Sequence, residues 1–172
     1  GQFETIILGY GLCSQAVVGI TANGCRLVVP RVDDCIAIFM GSKAAYKEQS
    51  QKEPGTYYLT KGWIEVGDTP FSEHERMVQR FGQEKADYIY QVMMGNYKRL
   101  ALINTGQYEL EKFREYTINT ASKFNLYYDE IPGSDTLVRK MLYGHWDEEF
   151  VVLEPGETYT LEQFLPAENG DR

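Results

Sequence analysis

Long apolar runs are missing from this sequence. None approaches the roughly 20 residues that cross a bilayer as a helix, which excludes a helical membrane span. Histidine is scarce, with two in 172 residues, and cysteine stops at three. No C-x-x-C or H-x-x-x-H occurs, so a zinc-finger arrangement is excluded. The sequence holds no G-x-x-x-x-G-K-[ST] phosphate loop and no serine in a G-x-S-x-G elbow. Gly1 to Leu8 lack the basic stretch and cleavage site of a secretory leader. Repeats, heptads and low-complexity tracts are absent as well.

What is present reads as a globular domain. Hydrophobic residues make up 43% and charged residues 24%, enough apolar surface for a core. The expectation is a single domain over residues 1–165, possible loss of an upstream segment included, with a frayed acidic tail at 166–172. Net charge is −8 and is unevenly placed. Residues 144–172 carry eight acids against Arg172 alone, while the preceding 143 residues hold 17 acids and 16 bases. No basic stripe is left to neutralise a phosphate backbone, so nucleic acid is excluded as a partner. Three cysteines, an odd number without a leader, favour a reducing compartment, and the cytoplasm is the natural one.

Short apolar runs alternate with helical periodicity along the chain. Strands are expected at Phe3–Leu8, Leu27–Pro30, Thr56–Thr60, Arg99–Asn104, Leu126–Ile131 and Phe150–Leu153, the third as an edge strand or an extended loop. One helix is expected from Ile36 to about Gln49, capped by Asp33 or Asp34. Ser72 with Glu75 gives a capping-box spacing ahead of Met77, and further helices follow Gln83, Gly106 and Ser134. Such alternation predicts an α/β three-layer sandwich, with a mostly parallel sheet of about five strands and helices on both faces.

Ligands of open parallel sheets bind beyond the carboxyl ends of the strands. That rule collects Gly9 to Ser14, Arg31 to Cys35, Thr105 to Gln107, Pro132 to Asp135 and Glu154 to Gly156. Gly9, Tyr10, Gly11 and Ser14 only partly match a dinucleotide loop, because Ser14 stands where the third glycine belongs, and the two glycines also suit a tight turn against a neighbouring backbone. Arg31 is a candidate anion clamp, with Asp33 or Asp34 as a candidate acid/base. Cys13 and Cys35 are candidate soft-metal ligands, with His145 a candidate nitrogen ligand. At a helix start the macrodipole is expected to favour the Cys35 thiolate. Cys25 reads as a small hydrophobe packed under the second strand. His74, among Glu73, Glu75 and Arg76, reads as solvated, and Tyr57, Tyr58 and Trp63 read as core packing or a pocket wall.

The run Leu8-Gly9-Tyr10-Gly11-Leu12-Cys13-Ser14, then Val29-Pro30-Arg31-Val32-Asp33-Asp34-Cys35-Ile36 and Gly41-Ser42, resembles the domain-of-unknown-function family DUF1638, found in methanogens and other anaerobes. Gly55 to Trp63 and Val152 to Glu157 are similar to that family too. Members carry His just ahead of the D-C pair, where this chain has Asp33, and have a preceding segment with another cysteine. The resemblance implies company with corrinoid-dependent methyl-transfer systems.

Three functions are therefore expected as alternatives. The first is a metal- or metallocofactor-binding protein using Cys13 and Cys35, with a soft metal, an iron–sulfur cluster or a corrinoid. The second is an enzyme that binds an anionic small molecule at the strand ends. The third is a non-catalytic partner domain of a methyltransferase or corrinoid protein. A homo-oligomer is compatible with each.

Overall fold

The computed structural model describes residues 3–13 and 15–164. In chain order they form β1 (Thr5–Ile7), β2 (Arg26–Pro30), α1 (Cys35–Met40), α2 (Lys43–Lys52), β3 (Thr56–Leu59), α3 (Lys61–Val66), α4 (Pro70–Phe81), α5 (Gln83–Met94), β4 (Arg99–Asn104), α6 (Glu111–Lys123), β5 (Tyr127–Pro132), α7 (Thr136–Tyr143), β6 (Phe150–Leu153) and α8 (Leu161–Phe164). The class is α/β, as the alternation requires. The single five-stranded sheet is replaced by two sheets of three strands each. The chain also divides into two compact units: the described residues up to Lys47 with those from Ser134 on, and Glu48–Gly133. Residues 166–172 lie outside the described residues.

In the first unit, β2 is central. It pairs in parallel with β1 and antiparallel with β6, with Val29 opposite Val151 and Leu27 opposite Leu153. The period-2 pleat then sends alternate residues to opposite faces. Leu27, Val29, Val151 and Leu153 pack with Val17, Tyr159 and Phe164 on one face. Val28 and Phe150 pack with Ile38 of α1 and with Leu137 and Met141 of α7 on the other. β2 and β6 are thereby covered on both sides, which accounts for their unbroken apolar sequences, whereas Ile6 and Ile7 of β1 remain exposed.

The helix expected through residue 49 is two helices, broken at Gly41. Gly41 adopts φ 84° as the C-cap of α1, and a Cβ there would sit 2.6 Å from the Ser134 side chain. Only glycine fits both demands. Ser42 restarts the helix, its Oγ accepting the Ala45 N–H at 3.1 Å.

In the second unit β4 lies between β3 and β5, all parallel. Leu59, Leu100 and Leu102 pack against Phe71 of α4, Met94 of α5, and Phe113 and Ala121 of α6. Tyr57 belongs to this core, meeting Phe71 and Tyr97 edge to face. The capping box of α4 lies three residues earlier than the Ser72–Glu75 spacing suggests. Thr69 is the N-cap, Pro70 opens the helix, and Ser72 returns the bond to the Thr69 N–H at 3.1 Å.

Candidate functional site

Because β1 and β2 run in parallel, the loops that leave them emerge at one sheet edge, and hydrogen bonds tie the loops together. The Leu12 N–H donates to the Val32 carbonyl at 2.8 Å and the Cys13 N–H to the Asp33 carbonyl at 2.9 Å. Gly11 lies flat on the backbone of Asp34, where a Cβ would come within 2.7 Å of Cα. Gly9 has open space around it, and Tyr10 is exposed. The tight approach expected of both glycines thus belongs to Gly11 alone. Ser14 lies outside the described residues. Cys13 itself holds φ 42°, a left-handed conformation that costs a non-glycine residue about 1–3 kcal/mol and is concentrated at functional sites.

The other motif residues are fixed one by one. Asp34 caps α1, its Oδ1 accepting the Ile36 N–H at 2.8 Å. Asp33 pairs with Lys43 at 3.4 Å. The Arg31 N–H donates to the Glu149 carbonyl at 2.7 Å, and its Nε donates to the Phe150 carbonyl at 3.0 Å, which anchors the arginine to the start of β6. Cys35 is half-buried at the first position of α1. Its thiol is pushed up, mainly by burial, then by the Asp34 carboxylate and by Cys13. The thiolate preference expected from the helix start is overturned: α1 is only six residues long, and burial, followed by the neighbouring Asp34 carboxylate, outweighs its terminus. The bond from the Cys13 N–H to the Asp33 carbonyl ties Cys13 to the chain two residues ahead of Cys35.

Cys25 stands at the opposite edge, just ahead of β2, partly exposed rather than packed beneath the strand, with its Sγ 3.7 Å from the Asn23 carbonyl. His145 is exposed between α7 and β6, its N–H bound to the Lys140 carbonyl at 3.1 Å. Among the described residues no three His, Cys, Asp or Glu side chains are grouped to hold a metal ion, so His145 is not brought to the two cysteines as a third ligand. A closed zinc site needs four donors. The described residues supply two sulfurs, which does not fit such a site.

Antiparallel β6 also changes which acids reach this edge. Glu154 follows the far end of β6 and pairs with Arg26 at 2.8 Å, at the start of β2. Glu148 and Glu149, which precede β6, take its place. With Arg31, Val32, Lys43 and Phe164 they line a pocket of about 160 Å³. Lys43, Glu148 and Phe164 escaped the sequence reading, since nothing in their local pattern marks them. In the second unit, the strand-end residues are tied up internally: Glu130 accepts from Asn104 at 3.0 Å and Arg114 at 2.9 Å, and the Gly106 N–H donates to Asn104 at 2.9 Å. His74 is not solvated. It is 7% exposed, set edge-on to Tyr90 and Phe124, with Nε2 2.7 Å from Asp87 Oδ1 and Nδ1 without a partner.

No helix among the described residues is long and apolar enough to cross a membrane. No curated protein and no solved structure matches the chain. A family model described as a protein of unknown function (DUF1638) matches residues 1–142, taking in both cysteine motifs at this edge. The chain belongs to the DUF1638 family.

Proposed function

We propose that this protein is a thiol-based binding protein whose Cys13–Cys35 edge takes a soft metal ion or a metallocofactor, in the service of corrinoid or methyl-transfer metabolism. One observation supports the reading: the loops that hold the two cysteines leave adjacent parallel strands at one edge and are bonded to each other, the Cys13 N–H donating to the Asp33 carbonyl at 2.9 Å. Thiolates select soft centres such as Cu(I), zinc and iron–sulfur clusters. All three cysteines are free, which suits a reducing cytoplasm. Because this edge supplies only two sulfurs, any further ligands come with the group itself, from a partner protein or from a second copy of the chain.

Anaerobic titration of the reduced full-length chain with Cu(I), Zn(II) and a cobalamin tests the reading. It expects saturable binding that Cys13→Ser and Cys35→Ser each abolish and Cys25→Ser leaves intact. One ion per two chains, with doubling of mass, would identify the second copy as the source of the missing ligands. Binding by none of the three, or binding equally weakened by Cys25→Ser, would overturn it.

A further inference from the structure

We propose that the pocket between Arg31, Lys43 and Phe164 is a binding site for a small zwitterion with an apolar side chain, of the α-amino acid class. At about 160 Å³ it is smaller than the roughly 300–1,000 Å³ of pockets for drug-sized molecules. Its lining has three chemistries. Val32 and Phe164, both buried in the core, offer an apolar wall. Arg31 and Lys43 offer cations, and Glu148 and Glu149 offer carboxylates.

The charges are not equivalent. Glu149 is already bound by Lys140, which also holds Asp147 at 2.6 Å, so Glu148 is the carboxylate left for an incoming ammonium. Nε of Arg31 is fixed on the Phe150 carbonyl, which sets the plane of the guanidinium that lines the pocket. Lys43 lies 4.2 Å from the centre of the Phe164 ring, so a cation and an apolar surface adjoin. A plain anion meets Glu148 and Glu149, and a plain cation meets Arg31 and Lys43. A molecule bearing both signs satisfies both sets, with its carboxylate on Arg31 and Lys43 and its ammonium on Glu148. Its side chain then covers Val32 and Phe164. The zwitterion replaces the simple anion expected from Arg31 alone.

Calorimetry on the full chain with apolar amino acids from alanine to phenylalanine tests this, alongside 4-methylpentanoate (leucine without its ammonium) and leucine methyl ester (leucine without its carboxylate). At least one amino acid should bind, and losing either charge should weaken binding about tenfold or more. Glu148→Gln should weaken the amino acid and leave 4-methylpentanoate bound no more weakly than before. Arg31→Met should weaken both, and Lys43→Gln, on a half-exposed side chain, gives the same readout if Arg31→Met does not fold. The proposal is overturned if no amino acid binds at millimolar concentration. It is overturned equally if 4-methylpentanoate binds as well as leucine, the mark of a plain anion site.

Discussion

Gly11 and Asp34 join the two sequence motifs by backbone contact. A Cβ on Gly11 would lie 2.7 Å from Asp34 Cα and 2.8 Å from its carbonyl carbon, and neither atom belongs to a flexible side chain that can swing away. The contact seats Cys13 beside the residues that lead into Cys35. Gly11→Ala should therefore destabilise the protein by about 1–3 kcal/mol, the usual cost of overpacking. It should also impair whatever the two cysteines do together. Gly9→Ala, with nothing within 4 Å, should change stability by less than about 0.5 kcal/mol. Urea unfolding of both variants checks the contrast, and equal losses would refute the contact's role.

Cys35 should resist alkylation at neutral pH. Its thiol is raised by burial first, then by Asp34 and Cys13, so the reactive thiolate forms only above the ordinary thiol range. Mass-spectrometric rates of iodoacetamide labelling against pH should place its inflection above that of an unfolded control. Cys13→Ser and Asp34→Asn should each move the inflection down without restoring the unfolded value, because burial remains. An inflection at or below the control would contradict the order of causes.

Much of this architecture was legible in local pattern. Arg99–Asn104 and Phe150–Leu153 read as strands because their apolar runs end at turn residues, and both are strands with those bounds. Strand pairing was not legible, since alternation gives the order of elements and not their neighbours. The antiparallel placement of β6 follows from contacts between residues more than 100 positions apart, and it moves Glu154 to one edge and Glu149 to the other. That the loops of Cys13 and Cys35 share one edge could be anticipated, because both follow strands that are sequential and parallel. The burial of His74 is hidden in the sequence for a different reason. Its immediate neighbours are charged, but one helical turn faces Phe124 and Tyr90, which lie far away in sequence.

The buried cation of the second unit gives an asymmetric prediction. Arg99 is 4% exposed and donates to Asp129 at 2.9 Å and to Thr56 Oγ1 at 2.7 Å. Removing Asp129 leaves a guanidinium in the core, whereas removing Arg99 leaves a carboxylate that is 42% exposed and can hydrate. Breaking a fully buried pair costs about 3–5 kcal/mol, and this half-wet one should cost less. Asp129→Ala is expected to lose about 1–3 kcal/mol, and Arg99→Met less than Asp129→Ala despite removing the larger side chain. Denaturant midpoints of the two variants decide it, and the reverse order would show that Thr56 and Gln49 satisfy Arg99 without Asp129.

The last prediction concerns acid stability and the hairpin of α4 and α5. His74 on α4 reaches Asp87 on α5 at 2.7 Å, and Gln83 also donates to the same oxygen at 2.7 Å. Those bonds hold the Asp87 carboxyl below the ordinary carboxylate range, the His74 bond first. A carboxyl lowered by folding binds fewer protons in the native state than in the unfolded one. Its contribution is thus complete above the unfolded value and disappears as pH falls through the lowered native value. The melting temperature should fall between about pH 5 and pH 2 more steeply for the wild type than for Asp87→Asn, which keeps a hydrogen-bond acceptor but cannot titrate. Above that window the two curves should run parallel, with the wild type higher. If Asp87→Asn retains the full acid slope, other carboxylates set the acid limit, and the His74–Asp87 bond does not hold the hairpin against acid.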